Sequence, residues 1–266
     1  MPVDSTGAHS DNADLQRTVY GLYSALVAAP PFDPEAGLGG RLLFAGDLGF
    51  ARPLLYAANI AGAASIAASS DPVAQRQAMR DGVVDFLVTS LDEALRILKN
   101  EIRKRQAVSV AIGLDPAEVV GKMLERGVLP DLLPASSWGE GKTGLSGLST
   151  RPWHDQGAQQ LADNETSDSE PAPGVYITWS VDRDAARWLP RIDSCVAEIL
   201  PGNDKLRHRW LKLMPRYLGR AAQRQHGVAL SVAEAAAMRD AVLTLLAGQD
   251  NQDNPPEVYL AGEAIR

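Results

Sequence analysis

Between residues 41 and 134 the sequence alternates short apolar runs with longer amphipathic segments, and this alternation most restricts the possible folds. The apolar runs have the length of buried strands, and the segments between them are long enough for crossover helices. Uniformly apolar strands joined by helices predict an α/β fold with a doubly wound, Rossmann-like parallel sheet covered on both faces. Five strands are expected, over 41–45, 64–69, 85–89, 107–113 and 128–133.

Capping residues mark where the crossover helices begin. Asp71-Pro72 and Asp115-Pro116 each place an aspartate at the N-cap and a proline at the first helical position. Ser90 and Glu93 have the spacing of a capping box. These signals predict one helix after each of the second, third and fourth strands.

The rest of the chain divides into segments of different composition. The polar residues 1–13 predict a disordered lead, and a helix starting at Asp14 and ending at Pro30-Pro31 opens a Rossmann-like domain over 14–134. Residues 135–173 are rich in Gly, Ser, Asp and Glu, which predicts a flexible insertion or linker.

Residues 174–266 predict a mainly helical C-terminal region that begins with a strand at 174–179. Pro201 and Pro215 are expected to interrupt its helices, and the last residues are expected to be irregular. The helices are expected near 183–200, 203–213, 215–226 and 231–247.

Charge and cysteine content narrow the functional classes. A net charge of −7 disfavours a nucleic-acid partner for the chain as a whole. Cys195 is the only cysteine, which excludes an intramolecular disulfide and multi-cysteine metal clusters. The four histidines show no metal-ligand spacing, so no metal site is expected. No 18-residue apolar run and no N-terminal apolar leader are present, so a cytoplasmic protein without a membrane span is expected.

The first candidate site is the turn after the first strand, Gly46-Asp47-Leu48-Gly49-Phe50. Backbone N–H groups at such a strand-to-helix turn favour an anionic ligand. The glycines are equally well explained by a tight turn, and Asp47 puts a negative charge where a pyrophosphate would lie. Both interpretations remain open from the residues alone.

Two further candidates lie at the ends of the second and fourth strands, on the same edge of the predicted sheet. Ser69 and Asp71 have groups that hydrogen-bond a ribose, and Leu114 and Asp115 follow the fourth strand. Helix capping is the competing explanation for both aspartates.

The C-terminal region carries a basic stretch over 205–224 with Trp210 and Tyr217 interleaved. A surface for nucleic acid or an anionic substrate is one interpretation of this stretch, but contact with solvent or with the acidic residues of 135–173 is the favoured one. Cys195 is expected to be a buried structural thiol, and no catalytic acid, base or nucleophile is assigned.

An ordered series of short strings between residues 21 and 133 resembles the Rossmann-like, NAD-binding region of the urocanase (urocanate hydratase) family. The series comprises Gly21-Leu22-Tyr23, GGRLLFAGDLG (39–49), IAGA (60–63), RDGVVD (80–85), TSLDEAL (89–95), AVSVAIGLDPAEV (107–119) and ERGVLPDLL (125–133). The resemblance implies a Rossmann-like domain from a cytoplasmic, homodimeric lyase of histidine catabolism.

The family uses NAD as an electrophile in hydrating urocanate. The resemblance implies that the cofactor phosphates lie at the turn around Asp47, the adenosine ribose near Ser69, and further contacts at Leu114 and Asp115. By resemblance, the phosphate contacts at the turn come from Gly46, Leu48, Gly49 and Phe50.

This chain also departs from the family pattern. Its glycine turn is shorter and poorer in glycine, and the family's ribose-binding acid falls on Ser69. The family's Asp-Gln-Thr-Ser run falls on residues 135–138, which read Ala-Ser-Ser-Trp, and Cys195 does not match the family's active-site cysteine. The sequence therefore predicts a divergent, truncated domain that binds a dinucleotide or small anionic ligand without the complete hydratase machinery. An active urocanate hydratase and a non-enzymatic scaffold or regulatory protein remain the alternatives.

Overall fold

The computed structural model describes residues 5–28, 33, 35–134, 152–153, 175–247, 257–260 and 263–265. The chain forms two compact units. The first, called the Rossmann-like unit below, comprises Gly21–Ala162. The second, called the C-terminal unit, comprises Met1–Tyr20 together with Asp163–Arg266.

The Rossmann-like unit alternates strands and helices as its sequence predicts. Its four-stranded sheet is entirely parallel, which confirms the α/β, Rossmann-like fold class. The strands are β1 (Leu42–Asp47), β2 (Ala64–Ala68), β3 (Phe86–Val88) and β4 (Val108–Ile112), and the helices are α2 (Leu48–Ala61), α3 (Pro72–Arg80), α4 (Leu91–Lys104) and α5 (Pro116–Glu125).

The strand order in this sheet is β1-β2-β4-β3. The chain therefore steps outward from β1 to β3 and then turns back, placing β4 between β2 and β3. Since parallel crossovers are right-handed, reversing the direction moves the crossover helix to the opposite face of the sheet. Helices α2 and α3 contact each other, and α4 contacts α5, as this rule requires.

The core of the unit lies on both faces of the sheet. On one face, Leu98 of α4 and Met123 of α5 belong to the same buried cluster as Phe44, Ile66 and Val110 of the strands. The alternate strand positions face α2, where the Ser109 hydroxyl donates to Asn59 Oδ1 at 2.9 Å and contacts the Ser65 hydroxyl at 2.9 Å. The buried hydroxyls on that face thus satisfy one another.

The predicted fifth strand, 128–133, is much shorter in the structure. Leu132 forms an isolated parallel bridge with Leu43, and β5 is limited to Leu133–Pro134, paired with β6 (Pro152–Trp153). The other residues of the predicted linker, 135–151 and 154–173, lie outside the described residues.

Helix α1 runs from Ser5 to Ala28 and ends just before the predicted stop at Pro30-Pro31. It begins at Ser5 and not at Asp14, so the prediction of a disordered lead over 1–13 is wrong for residues 5–13. Asp14 therefore lies within the helix and not at its N-cap, and its carbonyl accepts the Thr18 hydroxyl at 2.8 Å.

The C-terminal unit contains a four-stranded antiparallel sheet in the order β10-β9-β7-β8. Its strands are β7 (Val175–Val181), β8 (Gln225–Leu230), β9 (Val258–Leu260) and β10 (Glu263–Ile265). Its helices after β7 are α6 (Leu189–Ile199), α7 (Lys205–Leu218) and α8 (Val232–Ala247), with 3₁₀ turns at Arg183–Trp188 and Gly219–Ala222.

The sequence-based prediction of a helix over 215–226 is wrong, because these residues end α7 and begin β8. All six residues of β8 are buried, and Gln225–Leu230 pairs antiparallel with β7. Pro215 lies inside α7 and does not interrupt it. Burial of Trp210, Met214 and Leu218 along one side of α7 holds the helix together across the proline. The chain end, expected to be irregular, contributes β9 and β10.

Candidate functional site

The candidate site lies at the carboxyl edge of the parallel sheet. The loops that follow β2 and β4 are neighbours there, because the two strands pair along their whole length. The chain leaves β2 for α3 and leaves β4 for α5, on opposite faces of the sheet, so these two strands flank the topological switch point. In open α/β sheets a crevice for ligands forms at this position.

The turn after β1 contains a hydrogen bond between its own polar groups. Gly46 has φ +81° at a bulge between Phe44 and Gly46, a conformation that strains residues with a side chain. Asp47 is the N-cap of α2, and its carboxylate accepts the Gly49 N–H at 2.7 Å. Leu48 is buried, whereas the Phe50 side chain is 90% exposed.

This geometry does not fit a pyrophosphate held at the first turn of α2. The Gly49 N–H already donates to Asp47, and the carboxylate puts a negative charge at the helix end that would otherwise attract an anion. The Leu48 side chain points into the core and offers no ligand contact. Of the five predicted residues at this turn, Asp47 and Gly49 are thus hydrogen-bonded to each other.

The polar groups at the end of β2 also form hydrogen bonds within the protein. Ser69 is buried, its Oγ accepts the Asp71 N–H at 3.2 Å, and its carbonyl accepts Gln75 Nε2 at 2.7 Å. Asp71 caps α3 by accepting the N–H groups of Val73 at 2.8 Å and Ala74 at 3.3 Å. The capping interpretation of Asp71 is therefore confirmed.

The end of β4 lies directly beside these groups. Ile112 accepts the Ser69 N–H at 3.1 Å, and Gly113 donates to the Val88 carbonyl at 2.8 Å. A Cβ placed on Gly113 would lie 3.5 Å from Gln75 Nε2, so the Gln75 amide packs close to this glycine. Leu114 is half-buried, and Asp115 caps α5 by accepting the Ala117 N–H at 2.9 Å.

Three adjacent strands of the sheet thus each lead into a helix that an aspartate caps: Asp47 is the last residue of β1, Asp71 follows β2 and Asp115 follows β4. Each carboxylate offsets the positive end of its own helix. A carboxylate has about four acceptor positions, and one or two backbone bonds leave others available. This edge therefore accepts hydrogen bonds more readily than it attracts anions.

Residues 16–137 match the family model of the urocanase Rossmann-like domain. This match covers the strings that carry the predicted resemblance and confirms it for that segment. Over 121 residues the chain is also 31% identical to S-methyl thiourocanate hydratase from Variovorax sp. (strain JCM 16519 / RA8). That alignment covers 44% of this chain and 22% of the relative, so the chain spans about a fifth of the curated protein it matches.

In the C-terminal unit a histidine, an aspartate and a tryptophan are joined by one buried network of polar contacts. The Asp193 carboxylate lies 2.8 Å from His226 Nδ1 and accepts the Trp179 indole N–H at 3.0 Å. His226 Nε2 lies 2.8 Å from the Ala222 carbonyl.

Sequence reasoning missed this network because its members are far apart in the chain and show no motif spacing. Both ring nitrogens of His226 lie within hydrogen-bond distance of an acceptor, Nδ1 beside Asp193 and Nε2 beside the Ala222 carbonyl. Because His226 and Trp179 are buried, the network holds α6 against β7 and β8 and has no access to a substrate.

The basic stretch over 205–224 is divided by the structure into paired and exposed side chains. Arg207 is held by Asp204 at 2.6 Å and by both carboxylate oxygens of Glu234 at 2.7 and 2.8 Å. This ion pair lowers the pKa of Glu234 to about 2 and raises the pKa of Arg207. Arg207 therefore links α7 to α8 and is not part of an open anionic-ligand surface.

The remaining candidates are the Cys195 thiol and groups of side chains that could hold a metal ion. The Cys195 thiol is half-buried in α6, and burial raises its pKa, which disfavours the reactive thiolate. Among the residues that the structure describes, no group of three or more His, Cys, Asp or Glu side chains could hold a metal ion. None of the described helices is both long and apolar enough to cross a membrane.

Proposed function

We propose that the urocanase-like domain binds the nucleoside part of a nucleotide at the carboxyl edge of its parallel sheet and makes only weak contacts with the phosphates. The topological switch between β2 and β4 is the observation that carries this proposal, because sheets of this kind take ligands at that position. The match to a domain whose family binds NAD supports a nucleotide of that type.

The chemistry of the crevice favours sugar hydroxyls over phosphates. Ribose hydroxyls are hydrogen-bond donors, and the Asp71 and Asp115 carboxylates are acceptors at the ends of β2 and β4. A pyrophosphate at the neighbouring α2 turn would meet the Asp47 carboxylate and one N–H group already in use. The ligand is therefore expected to bind through its nucleoside end, and the cofactor chemistry of a complete hydratase is not part of this proposal.

Isothermal titration of the full chain with NAD, adenosine and inorganic phosphate tests the proposal. Adenosine and NAD are expected to bind with dissociation constants within about tenfold of each other, since the pyrophosphate adds little affinity. Phosphate alone is expected to give no heat of binding. If all three compounds are silent up to millimolar concentration, the proposal fails. If NAD binds a hundredfold more tightly than adenosine, the α2 turn grips the phosphates after all.

A pair of N-cap variants separates binding from capping. Asp71→Ala and Ser90→Ala each remove a side chain that caps a helix, but only Asp71 lies at the proposed crevice. Each is expected to cost about 1 kcal/mol of stability, and only Asp71→Ala is expected to weaken adenosine binding. Equal affinities for the two variants would remove Asp71 from the site.

A hydro-lyase reaction is the second candidate, favoured by the hydratase name of the Variovorax relative. Urocanate and S-methyl thiourocanate are the substrates to test, each in the presence of NAD. Loss of substrate absorbance, compared with a full-length urocanase as the positive control, would establish activity. A zero rate with both substrates would remove this candidate and leave the binding proposal intact.

A further inference from the structure

Helix α1 packs against the outer edge of β8 in the C-terminal unit. β8 is an edge strand of the sheet that the described residues form, and carbonyls on its outer edge accept hydrogen bonds from side chains of the helices. Trp210 Nε1 of α7 donates to the Gly227 carbonyl at 2.7 Å. Gln16 Nε2 of α1 donates to the Gln225 carbonyl, also at 2.7 Å. Gln16 is therefore held beside the beginning of β8.

The orientation of the Gln16 amide is determined by its two acceptors. The Nε2 group carries two protons, and it donates to the Ala221 carbonyl at 2.8 Å as well as to the Gln225 carbonyl. Turning the amide over would place Oε1 against both carbonyl oxygens, so the opposite orientation is disfavoured. Gln16 Oε1 is buried in this arrangement and has no hydrogen-bond partner among the described residues.

Two other buried side-chain oxygens of the described residues also lack a hydrogen-bond partner. They are Gln225 Oε1 and the Tyr176 hydroxyl, and both belong to the C-terminal unit, as Gln16 does. Burial raises the pKa of Tyr176 well above its usual value of 10, so its hydroxyl keeps its proton and can donate. The three atoms are thus two acceptors that need a donor and one hydroxyl that needs a partner.

The packing of α1 on the sheet brings these three atoms into one region. Gln225 and Gly227 lie two residues apart on β8, so they face the same side of the sheet. The outer end of the Tyr176 ring lies over Gly227, since a Cβ there would be 2.8 Å from Cζ of the tyrosine. Tyr20 lies one helical turn after Gln16, and its ring centroid is 5.3 Å from that of Tyr176. The Tyr176 hydroxyl therefore lies between α1 and β8, on the side where Gln16 and Gln225 meet.

These atoms do not pair directly, because none of them is within hydrogen-bond distance of another. Buried polar atoms in folded proteins are generally paired either with protein groups or with ordered water. An internal water molecule makes about three hydrogen bonds and can both donate and accept, which matches two acceptors and one hydroxyl. We propose that the C-terminal unit binds one internal water molecule here, shared by Gln16 Oε1, Gln225 Oε1 and the Tyr176 hydroxyl.

The proposed water joins three elements of the unit, because its partners lie on α1, β7 and β8. Gly227 leaves the space that the Tyr176 ring needs in order to reach this position, since a side chain there would collide with the ring. The water is therefore part of the contact that holds α1 on the antiparallel sheet.

Removal of the Tyr176 hydroxyl has opposite effects with and without the water. If the hydroxyl bonds to the water, Tyr176→Phe is expected to raise the equilibrium constant of unfolding about fivefold, because a hydrogen bond is lost. If the hydroxyl has no partner, its removal should lower that constant. Tyr217→Phe is the matched control, because its hydroxyl is not one of the buried atoms, and it should leave the constant unchanged. Urea unfolding of the full chain measures both variants, and a Tyr176→Phe protein as stable as the wild type, or more stable, would overturn the proposal.

Water-selective nuclear Overhauser spectroscopy of the full wild-type chain detects the water directly, without any variant that has to fold. The Gln16 Nε2 protons are expected to show a cross-peak with water, with the sign of a bound and not a surface molecule. The Trp179 Nε1 proton is the internal control, because this buried group lies on the other side of the sheet and donates to Asp193. It should show no such cross-peak. Absence of the water cross-peak at Gln16 would overturn the proposal.

Discussion

The Asp47 carboxylate and the Gly49 backbone N–H are joined by a 2.7 Å hydrogen bond at the start of α2. This bond uses a donor that a bound phosphate would need, and it brings a negative charge to the same place. Both features disfavour a phosphate at the start of α2.

Asp47→Asn is expected to raise the affinity for NAD about fivefold, because it removes a charge that repels the pyrophosphate and keeps a good N-cap residue. Adenosine carries no phosphate, so its affinity should not change. Calorimetric titration of both ligands measures the difference. Glu118→Gln, which removes one negative charge from the exposed side of α5, serves as the control. Weaker NAD binding by Asp47→Asn would contradict the expectation.

The Arg207–Glu234 ion pair should make stability depend on pH. Arg207 lowers the pKa of Glu234 from 4.5 to about 2 in the folded protein. A lowered carboxyl pKa stabilises the fold above pH 4.5, and this contribution is lost as the pH falls from 4.5 toward 2. Urea unfolding should show Glu234→Gln to be less stable by about 1–3 kcal/mol at pH 6, with the difference shrinking below pH 4.5. A difference that stays constant from pH 6 to 2.5 would rule out this linkage.

Asp193→Ala should destabilise the C-terminal unit strongly. The substitution leaves the buried Trp179 indole N–H and the His226 ring without their acceptor, at a cost of about 2–4 kcal/mol. Glu198→Ala, an exposed carboxylate on the same helix, should change stability by less than about 0.5 kcal/mol. The unfolding midpoint in urea measures both effects, and similar midpoints for the two variants would contradict the role given to Asp193.

Gly227→Ala should also destabilise this unit, for a steric reason. A Cβ at this position would lie 2.8 Å from the Tyr176 ring and 2.9 Å from the Ile177 carbonyl. Overpacking of this kind costs about 1–3 kcal/mol. Gly202→Ala is the matched control, since its Cβ would meet no atom within 4 Å. Thermal unfolding of both variants tests the contact, and an unchanged melting temperature for Gly227→Ala would contradict it.

The elements of the Rossmann-like unit could be predicted where local chemistry determines them. Asp71, Ser90 and Asp115 were identified as caps from their neighbours in sequence, and each accepts the expected backbone N–H. The strand order could not be predicted in the same way. Each strand is similarly apolar, so nothing local shows that β4 lies between β2 and β3.

The C-terminal unit shows where sequence periodicity misleads. The prediction of a helix over 215–226 followed from local propensity, but β8 forms because the chain pairs with β7, about fifty residues earlier. Gly227 permits that pairing by leaving room for the Tyr176 ring. The candidate site shows the same limitation, since Ser69 and Gly113 become neighbours only when β2 pairs with β4.

The position of β4 also affects the order of events during synthesis. A chain growing on the ribosome releases β1, β2 and β3 before Val108–Ile112 emerges, yet β3 contacts the sheet only through β4. Until then Ala64–Ala68 has one unpaired edge, and Phe86–Val88 has no partner in this sheet. Chaperones that shield exposed strand edges should therefore associate with nascent chains in this window and leave once residue 112 has emerged.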